Sequence, residues 1–170
     1  ILSECATCTL TDLIHKEVLN EYQYKVLLFQ VFYTLFVLQE QIPTFRHNDL
    51  HTSNILIQTI EPPKDLKNSH AVYCIPEQKF YHQIQQCPYR CLIWDMYFSN
   101  IGIDESPSPT ISTVSSKRQR SCYVDIHKLI DSLEYVLKKT SAPYQAKLQP
   151  HLQDFLDQVV PEHTKRMSKK

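Results

Sequence analysis

Apolar residues recur at intervals of three and four in several stretches of the chain, and that spacing predicts helices. Between Thr9 and Asn20 (TLTDLIHKEVLN), Leu10, Leu13, Ile14 and Val18 follow a Thr-x-x-Asp opening. This is the pattern of a capping box leading into a short amphipathic helix. Residues 26 to 38 (VLLFQVFYTLFVL) are apolar almost all round, which predicts a core helix buried on most sides. The run is 13 residues long, short of the roughly 20 that a bilayer span requires, so no membrane segment is expected. Pro43 bounds this helix, because the residue before a proline disfavours helical backbone. Ile126, Leu129, Ile130, Leu133, Val136 and Leu137 predict another helix from about Tyr123 to Lys139. Leu148, Leu152, Phe155, Leu156 and Val159 predict a third, entered through Pro150 near its first turn.

Strand signals lie between these helices. Ile55 to Ile57 is a short apolar strand, stopped by Pro62 and Pro63. Ala71 to Ile75 and Lys79 to Ile84 read as a hairpin around Pro76-Glu77-Gln78, and CLIWD at 91 to 95 as one more strand. Met96 to Ser121 carries Ser-Pro twice, a Ser/Thr cluster and a basic patch, and is expected to be a mobile loop. The pattern adds up to one domain, mainly α with short β-strands, and 170 residues suffice to bury its core.

Charge narrows the classes of partner. Lys+Arg 18 balances Asp+Glu 18, so no overall field draws the chain to nucleic acid or anionic lipid. The local basic groups, Lys117, Arg118 and Arg120, then Lys165, Arg166, Lys169 and Lys170, read as solvated surface. Six cysteines stand at 5, 8, 74, 87, 91 and 122, with no signal peptide visible, so free thiols in a reducing intracellular compartment, cytoplasm or nucleus, are expected. Cys5, Cys8, Cys87 and Cys91 have the number of thiolates for a zinc site, but the second pair is spaced off the usual pattern. The single glycine, Gly102, excludes a glycine-rich phosphate loop within these residues.

The polar stretch FRHNDLHTSNILI, residues 45 to 57, is the candidate for chemistry. Asp49 and Asn54 lie five apart between a core helix and a strand, and Asp95 ends a later strand. If the two strands pair, three oxygen-bearing side chains converge. Oxygen ligands suit Mg²⁺, which takes one or two protein groups plus substrate phosphates, and so point to phosphoryl transfer. The plainer alternative is an Asx-rich turn whose side chains bond their own backbone, with Asp95 a strand-end turn residue.

HNDLHTSN resembles the protein-kinase catalytic loop HRDxxxxN. The resemblance implies that His47 packs beneath the loop and bonds backbone, and that Asp49 accepts the proton of a protein hydroxyl. It further implies that Asn54 and Asp95, the latter in IWDMY where the family has DFG, hold Mg²⁺ and ATP. ILSECATCTLTDLI is similar to the kinase hinge followed by the first helix of the C-terminal lobe, with Glu4 and Ala6 at nucleotide-contacting hinge positions. Residues 26 to 38 take the place of that lobe's central helix. Asp125 in YVDIHKLIDSL resembles the helix-capping Asp that bonds the catalytic-loop backbone.

The layout implied is a C-terminal lobe: hinge 1–8, two helices 9–42, catalytic loop and strand 45–57, an insertion 59–90, metal-Asp strand and activation-like loop 91–121, and helices 123–160. The form HNDLHT with its long insertion looks most like divergent Ser/Thr protein kinases of large DNA viruses. The N-terminal lobe, with its glycine-rich cover and phosphate-gripping Lys, has no counterpart in these residues. Asn48 replaces the family's Arg, which leaves no charge-assisted clamp for a phosphorylated loop. His51 stands where a phosphate-contacting Lys is usual. Met96 and Tyr97 replace Phe and Gly of DFG, and no Ala-Pro-Glu follows. Two other readings share the pattern: a small-molecule phosphotransferase of the aminoglycoside or choline type, whose IDW-like Asp is similar to IWD at 93 to 95, and a catalytically weak pseudokinase or scaffold.

Overall fold

The computed structural model describes residues 6–17, 19–60, 70–75, 80–85, 87–101, 111–140, 150 and 154, with the backbone alone at 70, 75, 80–85, 100 and 111–123. The chain begins with a two-residue strand, β1 (Cys8–Thr9), that runs directly into helix α1 (Leu10–Lys16). The predicted capping box is formed in both directions. Thr9 Oγ1 accepts from the Asp12 amide at 3.1 Å, and Asp12 Oδ2 accepts from the Thr9 amide at 3.1 Å and from its hydroxyl at 2.8 Å. α1 is shorter than its sequence pattern, ending in an extended Glu17.

The hydroxyl and amide of Thr9 hold the Asp12 carboxyl below the usual carboxylate range. A group whose folded value is depressed stabilises the fold above its unfolded value and loses that contribution as pH falls through the folded one. Thr9→Ala is therefore expected to cost about 1 kcal/mol near neutrality. That difference from wild type should narrow below about pH 4, which urea denaturation at several pH values measures.

Helix α2 (Glu21–Gln41) is longer than the predicted 26 to 38, because Asn20 and Gln23 form a second reciprocal capping box at its start. Tyr24, Val26, Leu27, Leu28, Val31 and Leu35 are buried along it, so it is the central helix its apolar run implies. Three strands, β1, β3 (Ile55–Thr59) and β6 (Tyr89–Ile93), form an antiparallel sheet in the order β1-β3-β6. The outer edge of β6 is closed by a side chain of α2: Gln30 accepts from the Cys91 amide at 2.8 Å and donates to the Tyr89 carbonyl at 3.0 Å.

The predicted hairpin exists as β4 (His70–Ile75) with β5 (Phe80–Gln85), paired from His70↔Gln85 to Ile75↔Phe80. It is fixed to α2 by Tyr73, whose ring meets Phe29 and Tyr33 edge-on at 4.8 and 4.9 Å, and by the Tyr33 hydroxyl donating to the Cys74 carbonyl at 2.7 Å. A further pair of two-residue strands, β2 (Phe45–Arg46) and β7 (Asn100–Ile101), has no sequence signal.

Helix α3 (Ile111–Lys139) corrects the loop expected up to Ser121. Both Ser-Pro prolines lie before Ile111. The stretch ISTVSSKRQRSC holds no Pro or Gly, so its serines and threonines lower helix propensity without breaking the helix. Leu129, Ile130, Leu133, Val136 and Leu137 of α3 share one core with Leu10, Leu13 and Ile14 of α1 and the buried face of α2. No helix among the described residues is long and apolar enough to cross a membrane. The third predicted helix lies outside the described residues except at Pro150 and Asp154, which are helical.

Candidate active site

The loop from His47 to Asn54 is suspended from three sides. From below, Asp125 of α3 is wholly buried, with Oδ2 accepting the His47 amide and Oδ1 the Asn48 amide, each at 2.9 Å. Because α3 starts at Ile111, Asp125 sits inside the helix and is not its N-cap; the tie to the loop is its role. Lys128 Nζ, one turn on, donates to the Asn48 carbonyl. One turn further, Ser132 Oγ accepts the Thr52 amide at 3.1 Å and shares a 2.9 Å bond with Thr52 Oγ1. Positions 125, 128 and 132 fall at helical spacing, so a polar stripe of α3 faces the loop. From α1, Thr11 Oγ1 meets Thr52 Oγ1 at 2.8 Å. Leu50 is fully buried and plugs the loop into the core.

The third support is the end of the sheet. β3 and β6 pair antiparallel with Ile55 opposite Ile93, and the Trp94 amide extends the ladder by donating to the Asn54 carbonyl at 2.9 Å. The Trp94 carbonyl accepts from His47 Nε2 at 2.8 Å, while His47 Nδ1 takes the Asp49 amide at 3.4 Å. Both ring nitrogens of this buried histidine are thus engaged with backbone, as expected of it, and the proton sits on Nε2. Asp95 follows Trp94 in left-handed backbone (φ 57°), its Oδ1 accepting the Tyr97 amide at 3.4 Å over a 3₁₀ turn, Met96–Phe98.

The pairing of the two strands therefore brings Asp49, Asn54 and Asp95 to one end of the β3–β6 pair. Asn54 is buried and its Nδ2 donates to the Asp49 carbonyl at 3.0 Å. The Asp49 carboxylate is half-exposed, with His51 Nε2 at 3.6 Å from its Oδ2, and the Asp95 side chain is exposed. Ala6 is not in this group: its neighbour Thr7 bonds the Ile57 carbonyl, three residues up β3 from Asn54, about 10 Å at the rise of a strand. Glu4, the other hinge position, lies outside the described residues.

The cysteines offer no competing site. Among the described residues no three or more His, Cys, Asp or Glu side chains are grouped to hold a metal, and Cys5 lies outside them. Cys8, Cys74, Cys87 and Cys91 are free thiols. Burial pushes the Cys87 and Cys91 thiols up, Cys91 far up, which disfavours the thiolate that nucleophilic or zinc chemistry needs.

No family model matches the chain, and no solved structure matches it. It is similar, at 26% identity over 145 residues, to a protein of Acanthamoeba polyphaga mimivirus named "Putative serine/threonine-protein kinase". The likeness is to a kinase-like protein. It covers 82% of this chain, which spans 30% of the mimivirus protein's length.

Thr11, Leu50, Thr52, Lys128 and Ser132 did not stand out as supports in the sequence. For Lys128 and Ser132 a signal existed: they continue from Asp125 at intervals of three and four, off the face that carries Leu129, Ile130, Leu133, Val136 and Leu137. Thr11 had none, since its partner is 41 residues away.

Proposed function

We propose that the chain is the kinase C-lobe-like part of an ATP-dependent phosphotransferase that transfers the γ-phosphate to a Ser or Thr hydroxyl of a protein. The observation that carries this reading is a half-exposed Asp49 whose backbone carbonyl is bonded by Asn54, at the end of the strand pair from which the chain continues to Asp95. The similarity to the mimivirus protein supports the same class. In this reading Asp49 takes the hydroxyl proton as the substrate oxygen attacks, and its exposure lets it release that proton to solvent afterwards. His47 is unsuited to that task, both of its nitrogens being bonded to backbone.

The donor set fits Mg²⁺. Asn54 spends its amide N–H on Asp49, which leaves its Oδ1 as the remaining oxygen, and Asp95, just after the paired strand, would add a carboxylate. One or two protein oxygens with phosphates completing the shell are what this ion takes. When bound, Mg²⁺ supplies neutralisation of phosphate charge. His51, whose Nε2 stands 3.6 Å from Asp49 Oδ2, would in this reading donate a hydrogen bond to a phosphate oxygen.

The test uses the full-length protein with labelled ATP, offering protein acceptors and small alcohols side by side. Label in protein alone supports the proposal; label in small alcohols alone replaces it with the small-molecule phosphotransferase. Asp95→Asn should weaken Mg²⁺-ATP binding by about tenfold or more, the scale of a lost charged contact. Calorimetry showing equal affinity removes Asp95 from metal binding.

A further inference from the structure

We infer that Asn48 is a positioning residue that latches the turn after Asp95 to the catalytic loop, which rests on the reading of Asp95 as an Mg²⁺-holding group. The turn has little of its own to keep it in place. Met96, Tyr97 and Phe98 are exposed, Tyr97 at 85%, so burial does not anchor them. The bonds inside the segment are local: Asp95 Oδ1 to the Tyr97 amide, and the Ser99 amide and hydroxyl to the Met96 carbonyl. Among the described residues, the one hydrogen bond reaching residues 95 to 99 from outside is Asn48 Nδ2 donating to the Phe98 carbonyl at 2.8 Å.

Asn48 is itself held at every polar group of its backbone. Its amide donates to Asp125 Oδ1 at 2.9 Å, and its carbonyl accepts from Lys128 Nζ. Its φ of 66° is left-handed, a region that asparagine enters more readily than other residues with a Cβ. The side chain is therefore a short arm on a rigid mount, directly before Asp49. It ties the position of Asp95 to that of Asp49 through a neutral amide, with no added charge needed to order the turn. The residue type is constrained: aspartate in the same place sets a carboxylate against a carbonyl, and glycine keeps the backbone but loses the donor.

The experiment compares Asn48→Asp and Asn48→Gly with wild type in the full-length protein. Hydrogen exchange of the 97 to 99 amides reads the latch. The fluorescence of Trp94, the one tryptophan of these 170 residues, reads binding of ADP with Mg²⁺ and, separately, with chelator, any further tryptophan of the full-length protein being replaced by Phe. Both variants should exchange about fivefold to tenfold faster in that segment, in keeping with one lost hydrogen bond. Mg²⁺-ADP affinity should fall by a similar factor while metal-free ADP affinity stays unchanged. That split distinguishes a positioning role from general loosening. Wild-type exchange in both variants overturns the latch, and faster exchange with unchanged Mg²⁺-ADP affinity overturns the positioning of Asp95. Absence of any Mg²⁺-dependent response in wild type removes the phosphotransferase reading instead, while the exchange data still decide the latch.

Discussion

Asp49→Asn in the full-length protein should reduce phosphate transfer by about 10²- to 10⁴-fold, the usual worth of a positioned general base, and leave folding and Mg²⁺-ATP affinity near wild type. The separation follows from how Asp49 is held. Its backbone does the structural work, its carbonyl accepting from Asn54 and its amide bonding His47, and neither bond involves the carboxylate. The carboxylate is half-exposed, and its neighbour His51 stands at 3.6 Å, longer than a hydrogen bond. Replacing it with an amide of equal size should thus change stability by no more than about 0.5 kcal/mol. An amide does not accept a hydroxyl proton, so the loss falls on turnover. Trp94 fluorescence reports nucleotide affinity, denaturation reports the fold, and labelled ATP reports transfer. Unchanged turnover would remove Asp49 as the base, whereas loss of binding along with turnover would mean that the residue shapes the site instead.

What the sequence disclosed, and what it hid, divides along the range of the interactions involved. α1, α2 and the β4–β5 hairpin were legible because each is written locally: a capping box at Thr9, an apolar run bounded by Pro43, and two β-rich runs bracketing a proline. That residues 49, 54 and 95 lie toward one end of the β3–β6 pair was legible only conditionally, since it depends on β3 pairing with β6, and short apolar runs do not name their partner. The pairing of Ile55 with Ile93 supplies that missing condition. β2 and β7 were invisible because two-residue strands have no period to detect, and their order comes from partners 54 or more residues away. The start of α3 departs from what composition suggests, because serines and threonines without a proline or glycine lower helix propensity but do not end a helix. Asp125 accordingly lies inside α3 and not at its start. Its bond to the loop is unaffected, because it depends on which face of α3 the residue occupies, not on where the helix begins.

That face gives the largest stability effect expected of a single polar side chain here. Asp125→Ala should destabilise the fold by about 2 to 5 kcal/mol, since it strips the acceptor from two N–H groups, each costing about 1 to 3 kcal/mol when left unpaired out of water. The carboxylate is wholly inaccessible, and its two oxygens serve His47 and Asn48 separately. Asp125→Asn keeps one acceptor and sets an N–H₂ against the other amide, so it should fall between alanine and wild type. The helix itself should persist in both, because position 125 is interior to α3 and alanine is a good helix former. The damage should instead appear at residues 47 and 48, whose amides should exchange far faster than those of α2, and then in transfer activity, as Asp49 loses its fixed mount. Urea denaturation gives the energy and residue-resolved exchange gives the place. A variant within about 0.5 kcal/mol of wild type, with the His47 and Asn48 amides still protected, would show that Thr52, Ser132 and Leu50 suffice to hold the loop and that Asp125 is dispensable.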